Sequence, residues 1–419
     1  MAYTKVVIIG GGFAGLNAAK AFNHAKFDVL LIDKTNHHLF QPLLYEVATA
    51  ALSPGQIATP LREILRHQEN TTVIMGEVVK IDKTLKQITL SNGDVHGYDY
   101  LIISIGARHS YFGREDWELF APGLKTIRDA LNIREEMLIS FEKAERLDNI
   151  DEAAKYLNFI IIGGGPTGVE MAGAIAEIAN KTMFKNFRRI KPEESKIYLL
   201  EALPQILPMY PSKLAKKATE DLERLGVKVL TGKKVTEINE KGVKIEDAFI
   251  ESKNIIWAAG NQVSPMLGTL DVPLDRAGRV IVGPDLSIPG HPEVFVVGDA
   301  AHSVGKDGKP LPGVAPVAIQ QGRYAAKIIK TLAKENRQPF VYFDKGSLAT
   351  IGKAKAIAVI GKLQLSGFFA WLMWAFVHIM YLIGFRNRIG VMFQWAATMF
   401  TGERGVRLIT RPIDQKVTK

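Results

Sequence analysis

Residues 5–34 read KVVIIGGGFAGLNAAKAFNHAKFDVLLIDK, and this stretch decides the fold. KVVIIG is a short apolar run that predicts a buried strand. GGFAGLNAAKAF (11–22) predicts a turn and a helix, and FDVLLIDK predicts a second strand ending at Asp33. Together they form a βαβ unit. Within it, Gly10-x-Gly12-x-x-Gly15 has a physical role at each glycine. Gly10 permits the tight turn, Gly12 lets backbone approach a pyrophosphate, and Gly15 permits close helix–strand packing. The helix N-terminus adds N–H donors and a positive dipole end. Asp33 lies 18 residues after Gly15, where a carboxylate can bond the hydroxyls of an adenosine ribose. Alone, the glycine pattern is weak; with strand, helix and acid in order it predicts dinucleotide binding.

The unit recurs. FIII (159–162) precedes GGGPTGVEMAGAIAEIA, and IYLLEA (197–202) closes the second copy. Gly10 to Gly163 spans 153 positions, and Gly106 to Gly260, each ending an apolar return strand, spans 154. Two features repeated at nearly one offset argue for two copies of one nucleotide-binding unit. The second motif is Gly163-x-Gly165-x-x-Gly168, with Glu201 as its acid. Residues 180–195 form a basic insertion that delays Glu201. No Arg near Glu201 is placed to hold a 2′-phosphate, and like charges would repel one, so the expected nucleotide is NADH rather than NADPH. Glu170 is expected in the first turn of the second helix. It reads either as a carboxylate complementing the helix dipole or as a group near the nicotinamide or the acceptor.

The chain has 419 residues, 47% hydrophobic and 23% charged, and no cysteine. Two or three globular domains are expected. Disulfide scaffolds, Cys-based zinc or iron–sulfur sites and thiol nucleophiles are excluded. No metal constellation or hydrolase motif stands out, and His37, His38 and His291 read as loop residues. The net charge is +10, and ten Lys/Arg against Glu403 and Asp414 place most of it between Lys353 and Lys419. That tail also holds Trp371, Trp374 and Trp395. A basic, aromatic, apolar tail predicts a membrane-surface partner rather than nucleic acid.

Leu363 to Phe385 is 23 residues without Asp, Glu, Lys or Arg. A transmembrane helix is one reading. Gly367, Gly384 and His378, with a second apolar run after GFRNR, favour a pair of interfacial helices instead. The tryptophans would then sit at the headgroup boundary with Arg386 and Arg388 nearby. KENRQP (334–339) reads as a connector, and the N-terminus reads as a strand entry rather than a signal peptide.

VVGDAA sets Gly298 and Asp299 at a strand end, where the Asp can bond a ribityl or phosphate oxygen. The helix expected from Ala315 could aim its N-terminus at a flavin ring.

The two motifs, both return strands and VVGDAA resemble the two-dinucleotide-binding-domain flavoproteins. HHLFQPLLYEVATAAL (37–52), GKAKAIAVIGK (352–362), GFRNR (384–388) and the tryptophan-rich tail are similar to type II NADH:quinone oxidoreductases. The resemblance implies an α/β fold of two Rossmann-like domains, an FAD domain with an inserted NADH domain, plus a C-terminal membrane-associating helical segment. The expected boundaries are 1–120 with 267–345 for FAD, 121–266 for NADH, and 346–419 for the membrane segment. Non-covalent FAD is expected at Gly10, Gly12, Gly15, Asp33, Gln41, Ala107, Gly298, Asp299 and Ala315. NADH is expected at Gly163, Gly165, Gly168, Glu201 and Gly260.

The family carries an AQxAxQ element at the flavin–quinone junction. Here it is Ala315-Pro316-Val317-Ala318-Ile319-Gln320, followed by Gln321, and Pro316 replaces the family glutamine. Quinone contacts are therefore expected at Pro316, Ile319, Gln320 and Gln321, with Glu170 and Gln320 as catalytic groups. The resemblance further implies a peripheral protein on the cytoplasmic face of the cell membrane that does not pump protons; a homodimer is compatible with it. The competing readings are a soluble NADH-dependent reductase of an electron-transfer protein and a flavin- and NADH-binding redox sensor.

Overall fold

The computed structural model describes residues 3–332 and 336–414, so the start of the expected connector at 334–339 lies outside the described residues. The chain forms two compact units. The first comprises Met1–Leu39, Ala58–Arg108 and Asn261–Lys345; the second comprises Phe40–Ile57, His109–Gly260 and Gly346–Lys419.

In the first unit the opening strand Thr4–Ile9 pairs in parallel with Phe27–Asp33 and with Tyr100–Ile103. Thr71–Met75 and His291–Val296 extend the parallel sheet on its two sides, and the short strand Ser287–Ile288 closes one edge antiparallel. The central strands are apolar on both faces: Val6 to Ile9, Val29 to Ile32 and Leu101 to Ile103 are all buried. That is the burial expected of a parallel sheet covered on both sides. The helices Phe13–Ala21 and Ala315–Thr331 pack on each other so closely that a Cβ on Gly322 would lie 2.1 Å from Ala14 O.

The second unit repeats the plan. Asn158–Ile162 lies between Lys196–Leu200 and Asn254–Trp257, with Val227–Leu230 beyond, all parallel. In each unit a three-stranded antiparallel meander precedes the return strand: Val78–Asp82, Gln87–Leu90 and Val95–Gly97 in the first, Val235–Asn239, Gly242–Ile245 and Ala248–Glu251 in the second. The repeat inferred from glycine spacing thus extends to the whole βαβ–meander–β arrangement.

The tail divides differently from its hydropathy. Leu363–Gly367 is a strand, the third of an antiparallel sheet with Ala356–Ile360 and Ser347–Thr350. Gly367, at φ +82°, turns that strand directly into the helix Phe368–Tyr381, and Gly384, at φ +90°, opens the helix Phe385–Thr401. Both angles favour glycine. At 1.5 Å per residue the helices measure roughly 21 and 26 Å, short of a hydrocarbon core of about 30 Å. Among the described residues no helix is long and apolar enough to cross a membrane.

A Cβ on Gly15 would lie 1.9 Å from Gly10 O and 2.4 Å from Ser104 Oγ. Gly15→Ala is expected to lower stability by about 1–3 kcal/mol, the range for overpacking. Thermal melting checks this, with Gly12→Ala, which has open space at the same turn, as the tolerant control.

Candidate functional site

The two glycine turns are built from matching contacts. Gly10 N–H donates to Ile32 O at 2.7 Å, and Gly163 N–H donates to Leu200 O at 2.8 Å. Asp33 Oδ2 accepts from Gly11 N–H at 2.6 Å, and Glu201 Oε2 accepts from Gly164 N–H at 2.6 Å. The second oxygen of each acid accepts a backbone N–H two residues on, from Thr35 at 2.6 Å and from Leu203 at 2.7 Å. Each carboxylate is therefore fixed beside the mouth of its turn, with lone pairs remaining for a ribose.

Gly12 and Gly165 are the helix N-caps; neither carries a side-chain cap, and a Cβ on either would meet nothing within 4 Å. Open space over uncapped N–H groups is what a pyrophosphate requires, so both turns fit a dinucleotide. In the first unit Gly298 N–H donates to Gln321 Oε1 at 2.7 Å, fixing the turn that carries Asp299. His38 is not a loop residue: it is buried and its ring meets Gly11 O at 3.0 Å. Burial pushes its pKa down to about 4, so it braces the turn as a neutral ring.

In the second unit Glu170 lies past the first turn of the helix Pro166–Glu177 and is buried. The dipole-complementing reading does not hold, because that effect falls off within the first turn, which here carries no acid. The main chain at Thr350 hydrogen-bonds the Glu170 carboxyl, while burial and the nearby Glu46 hold its pKa well above the usual carboxylate range. Two clefts meet at this residue. One, of about 380 Å³, is lined by Gln41, Pro42, Leu44, Tyr45, Leu124, Lys125, Thr167 and Glu170. The other, of about 620 Å³, reaches the C-terminal helices and is lined by Tyr45, Glu46, Glu170, Lys353, Trp371, Trp374, Trp395 and Arg404 among others. Glu170 and Tyr45 belong to both walls.

A sequence profile of the pyridine nucleotide-disulphide oxidoreductases matches residues 4–322, and one of the NDH2 C-terminal domain matches residues 345–404. The type II NADH:quinone oxidoreductase NdhA of Mycobacterium tuberculosis is 46% identical over 424 residues, covering 97% of this chain and 89% of that protein. The chain belongs to the type II NADH:quinone oxidoreductases. Ndh of the same organism is also 46% identical, over 422 residues covering 97% of this chain and 90% of that protein. The structure of NDH2 from Plasmodium falciparum in complex with NADH aligns with a TM-score of 0.89 at 22% identity, covering 97% of this chain and all of that one. The sulfide:quinone oxidoreductase of Aquifex aeolicus aligns at 0.74 with 18% identity, covering 92% of each chain. These two likenesses show the shared fold.

For a type II NADH:quinone oxidoreductase, several side chains lie otherwise than expected. The Gln320 amide clamps a neighbouring segment: Nε2 donates to Phe343 O at 2.9 Å and Oε1 accepts from Phe343 N–H at 3.0 Å. Gln321 is fully buried, accepting from Gly298 N–H and donating to Ser303 Oγ at 2.7 Å. Each amide thus already holds one partner on its oxygen and one on its nitrogen. Ile319 is also buried, and Pro316 occupies the first turn of its helix, where a missing N–H is tolerated. Gln41, expected at FAD, lines the cleft with Glu170 and donates to Lys125 O at 3.1 Å. Ala107 follows Gly106 in the first unit, and Gly260 takes the corresponding place in the second.

The tail tryptophans face inward. Trp374 is buried, its ring 5.1 Å from that of Trp395, and Trp395 Nε1–H donates to Glu46 Oε2 at 2.7 Å. Trp371 is half-buried. Of the two arginines expected at the membrane, Arg386 is exposed, but Arg388 donates to Leu382 O and Met380 O at the end of the preceding helix. Carbonyls at a helix C-terminus attract a cation.

The sequence reading missed Glu46, Tyr45 and Arg404. Glu46 is a lone acid within the apolar stretch LLYEVATAAL, which was the available signal. Arg404 donates to Thr49 O, Thr49 Oγ1 and Glu177 Oε2 at 2.7–3.0 Å, with both charged partners largely buried. Arg404→Ala is expected to destabilise the protein by about 3–5 kcal/mol by stranding Glu177. Thermal melting checks this, and pairing it with Glu177→Gln should recover part of the loss.

Proposed function

We infer that the chain oxidises NADH and reduces a membrane quinone to quinol through bound FAD. The observation that carries this reading is the pair of complete dinucleotide turns, each with its own latched acid, on a chain of this family. A flavin accepts a hydride from a nicotinamide and returns two electrons to a quinone; the protein supplies position and electrostatics. No proton pumping is part of the reaction.

Gly10, Gly12, Gly15, Asp33, Ala107, Gly298, Asp299 and Ala315 are assigned to FAD on the first unit. Gly163, Gly165, Gly168, Glu201 and Gly260 are assigned to NADH on the second. The corresponding domains are 1–120 with 267–345 for FAD, 121–266 for NADH, and 346–419 for membrane attachment. Gln41 shares a cleft with Thr167 of the second glycine turn, which supports a place for it beside the nucleotides. Glu170 is assigned to proton supply at the acceptor, since it is buried, lines both clefts and has its pKa pushed up by that burial. Gln320 is assigned a positioning role, holding the segment around Phe343.

Attachment to the cytoplasmic face of a membrane is assigned to an exposed apolar stripe. Phe369, Phe376 and Met380 on the first C-terminal helix and Phe385, Phe393 and Phe400 on the second are each at least half exposed. The helix Phe368–Tyr381 turns Trp374 inward and Phe369, Phe376 and Met380 outward, which suits an interfacial helix.

With a short-chain quinone, Glu170→Gln is expected to slow turnover on the order of 10²-fold, the low end for a lost general acid, while NADH still bleaches the flavin in a single turnover. Unchanged quinone reduction in Glu170→Gln and Gln320→Ala alike would overturn the acceptor assignment. NADH is expected to exceed NADPH in kcat/KM at least tenfold, because the 2′-phosphate meets the Glu201 carboxylate; equal values would remove that role. Replacing Phe369, Phe376, Phe393 and Phe400 with Ser should release the protein from sedimenting vesicles.

A further inference from the structure

We propose that Glu46 holds the solvent-derived proton used in quinol formation, and that Trp395 is its positioning residue. The proposal rests on the acceptor-side reading of the cleft given above.

The balance of the reaction requires such a group. Reducing a quinone to a quinol takes two electrons and two protons. The hydride from NADH brings both electrons and one hydrogen nucleus, so each turnover draws one proton from water. The group that holds it must be reachable from solvent and able to exist both as acid and as carboxylate. A carboxylate locked against a cation fails the second condition.

Glu46 meets both. Its side chain is 8% exposed and lines the open cleft of the C-terminal helices. Its hydrogen-bond partners are neutral: Tyr45 O–H donates to Oε1 at 3.1 Å, and Trp395 Nε1–H donates to Oε2 at 2.7 Å. The nearest cation, Arg404, is committed to Thr49 and Glu177. Lys353, on the wall of the same cleft, donates instead to the carbonyls of Thr398 and Met399 at the end of the last helix.

From the helix Pro166–Glu177, Glu177 adds like charge, while Glu170 lines the same cleft. The helix Ile127–Arg146 also packs on this segment and carries Arg134, whose own pKa burial lowers. The net result raises the Glu46 carboxyl to about 7, chiefly through burial, with the Trp395 N–H acting in the opposite direction. Tyr45, bonded to Glu46, lines both clefts and links it to the wall that Glu170 occupies.

In the proposed step the O–H bond of the Glu46 acid breaks and an O–H bond forms on the reduced acceptor. The electrons come from the reduced flavin, and the carboxylate regains its proton from water in the cleft. Because Trp395 donates to the carboxylate form, removing that N–H must raise the pKa of Glu46.

The test uses the full-length, flavin-loaded enzyme with Glu46→Gln and Trp395→Phe. Infrared titration without quinone follows the carboxylic acid C=O band between pH 5 and 9. The expected band titrates near neutrality in the parent, is absent in Glu46→Gln, and moves up by roughly one pH unit in Trp395→Phe. With a short-chain soluble benzoquinone, Glu46→Gln is expected to lose turnover on the order of 10²-fold together with the alkaline limb of its pH profile. Trp395→Phe should shift that limb upward with the band, an effect that a merely structural role would not produce.

A limb that survives in Glu46→Gln, or a band that stays in place in Trp395→Phe, overturns the proposal. If Glu46→Gln loses its flavin, the Trp395→Phe band and limb decide alone. A parent enzyme whose flavin NADH bleaches but which does not turn over quinone would instead defeat the acceptor reading on which the proposal stands.

Discussion

The constraint on which both nucleotide units depend is the contact between the third glycine of each turn and the carbonyl of the first. Built Cβ atoms on Gly15 and Gly168 fall 1.9 and 1.8 Å from Gly10 O and Gly163 O. No side chain can occupy that space, so helix and strand meet backbone to backbone. This contact aims the helix N-terminus at the mouth of the turn and leaves Gly12 and Gly165 facing open space. It also brings the next strand alongside, so that Asp33 or Glu201 reaches the N–H of the residue after the first glycine. Turn, dipole and acid are thus set by one steric requirement, used once in each unit.

Within the second unit a different interaction does the organising. Arg404, beyond the last helix, binds Thr49 on one side and Glu177 on the other. It thereby ties the C-terminal segment to the helix that carries Glu170 and to the short segment that carries Glu46. An ion pair so deeply buried is a weak source of net stability but a strong penalty against its own disruption. Here it also leaves Glu46 hydrogen-bonded to Tyr45 and Trp395, with the Arg404 charge acting on its carboxyl through space.

The glycine turns and their acids were legible in the sequence because the βαβ unit is local: strand, turn, helix and acid span residues 4–33 in the first unit and, with the insertion, 158–201 in the second. The internal repeat was legible from two glycine offsets, and the meanders followed the same spacing. The tail was not. Hydropathy joins Leu363–Gly367 to the helix after it, yet those residues pair across a sheet with Ala356–Ile360, and hydropathy does not report strand pairing. Nor did composition reveal orientation. Trp374 and Trp395 satisfy the pattern for a headgroup belt, but Trp395 gives its indole N–H to Glu46 and the buried Trp374 packs beside it. Gln320 and Gln321 were read by position in a motif, whereas their amides are taken by Phe343, Gly298 and Ser303. Glu46 gave only the weak signal of a single acid in an apolar helix.

The basic tail has a further consequence. Lys353, Lys355, Arg388, Arg404, Arg407 and Arg411 all hold partners inside the second unit, from helix-end carbonyls to Asp221, Glu177 and Glu135. Among the described residues, these six cations are thus held by partners, while Lys362 and Arg386 are exposed. Beside them the tail offers outward the rings of Phe369, Phe376, Phe385, Phe393 and Phe400, and attraction between rings and acyl chains is not screened by ions as a polybasic patch would be. Attachment through such rings, as proposed above, would tolerate high ionic strength and neutral lipids alike, and would yield to detergent rather than to a salt wash.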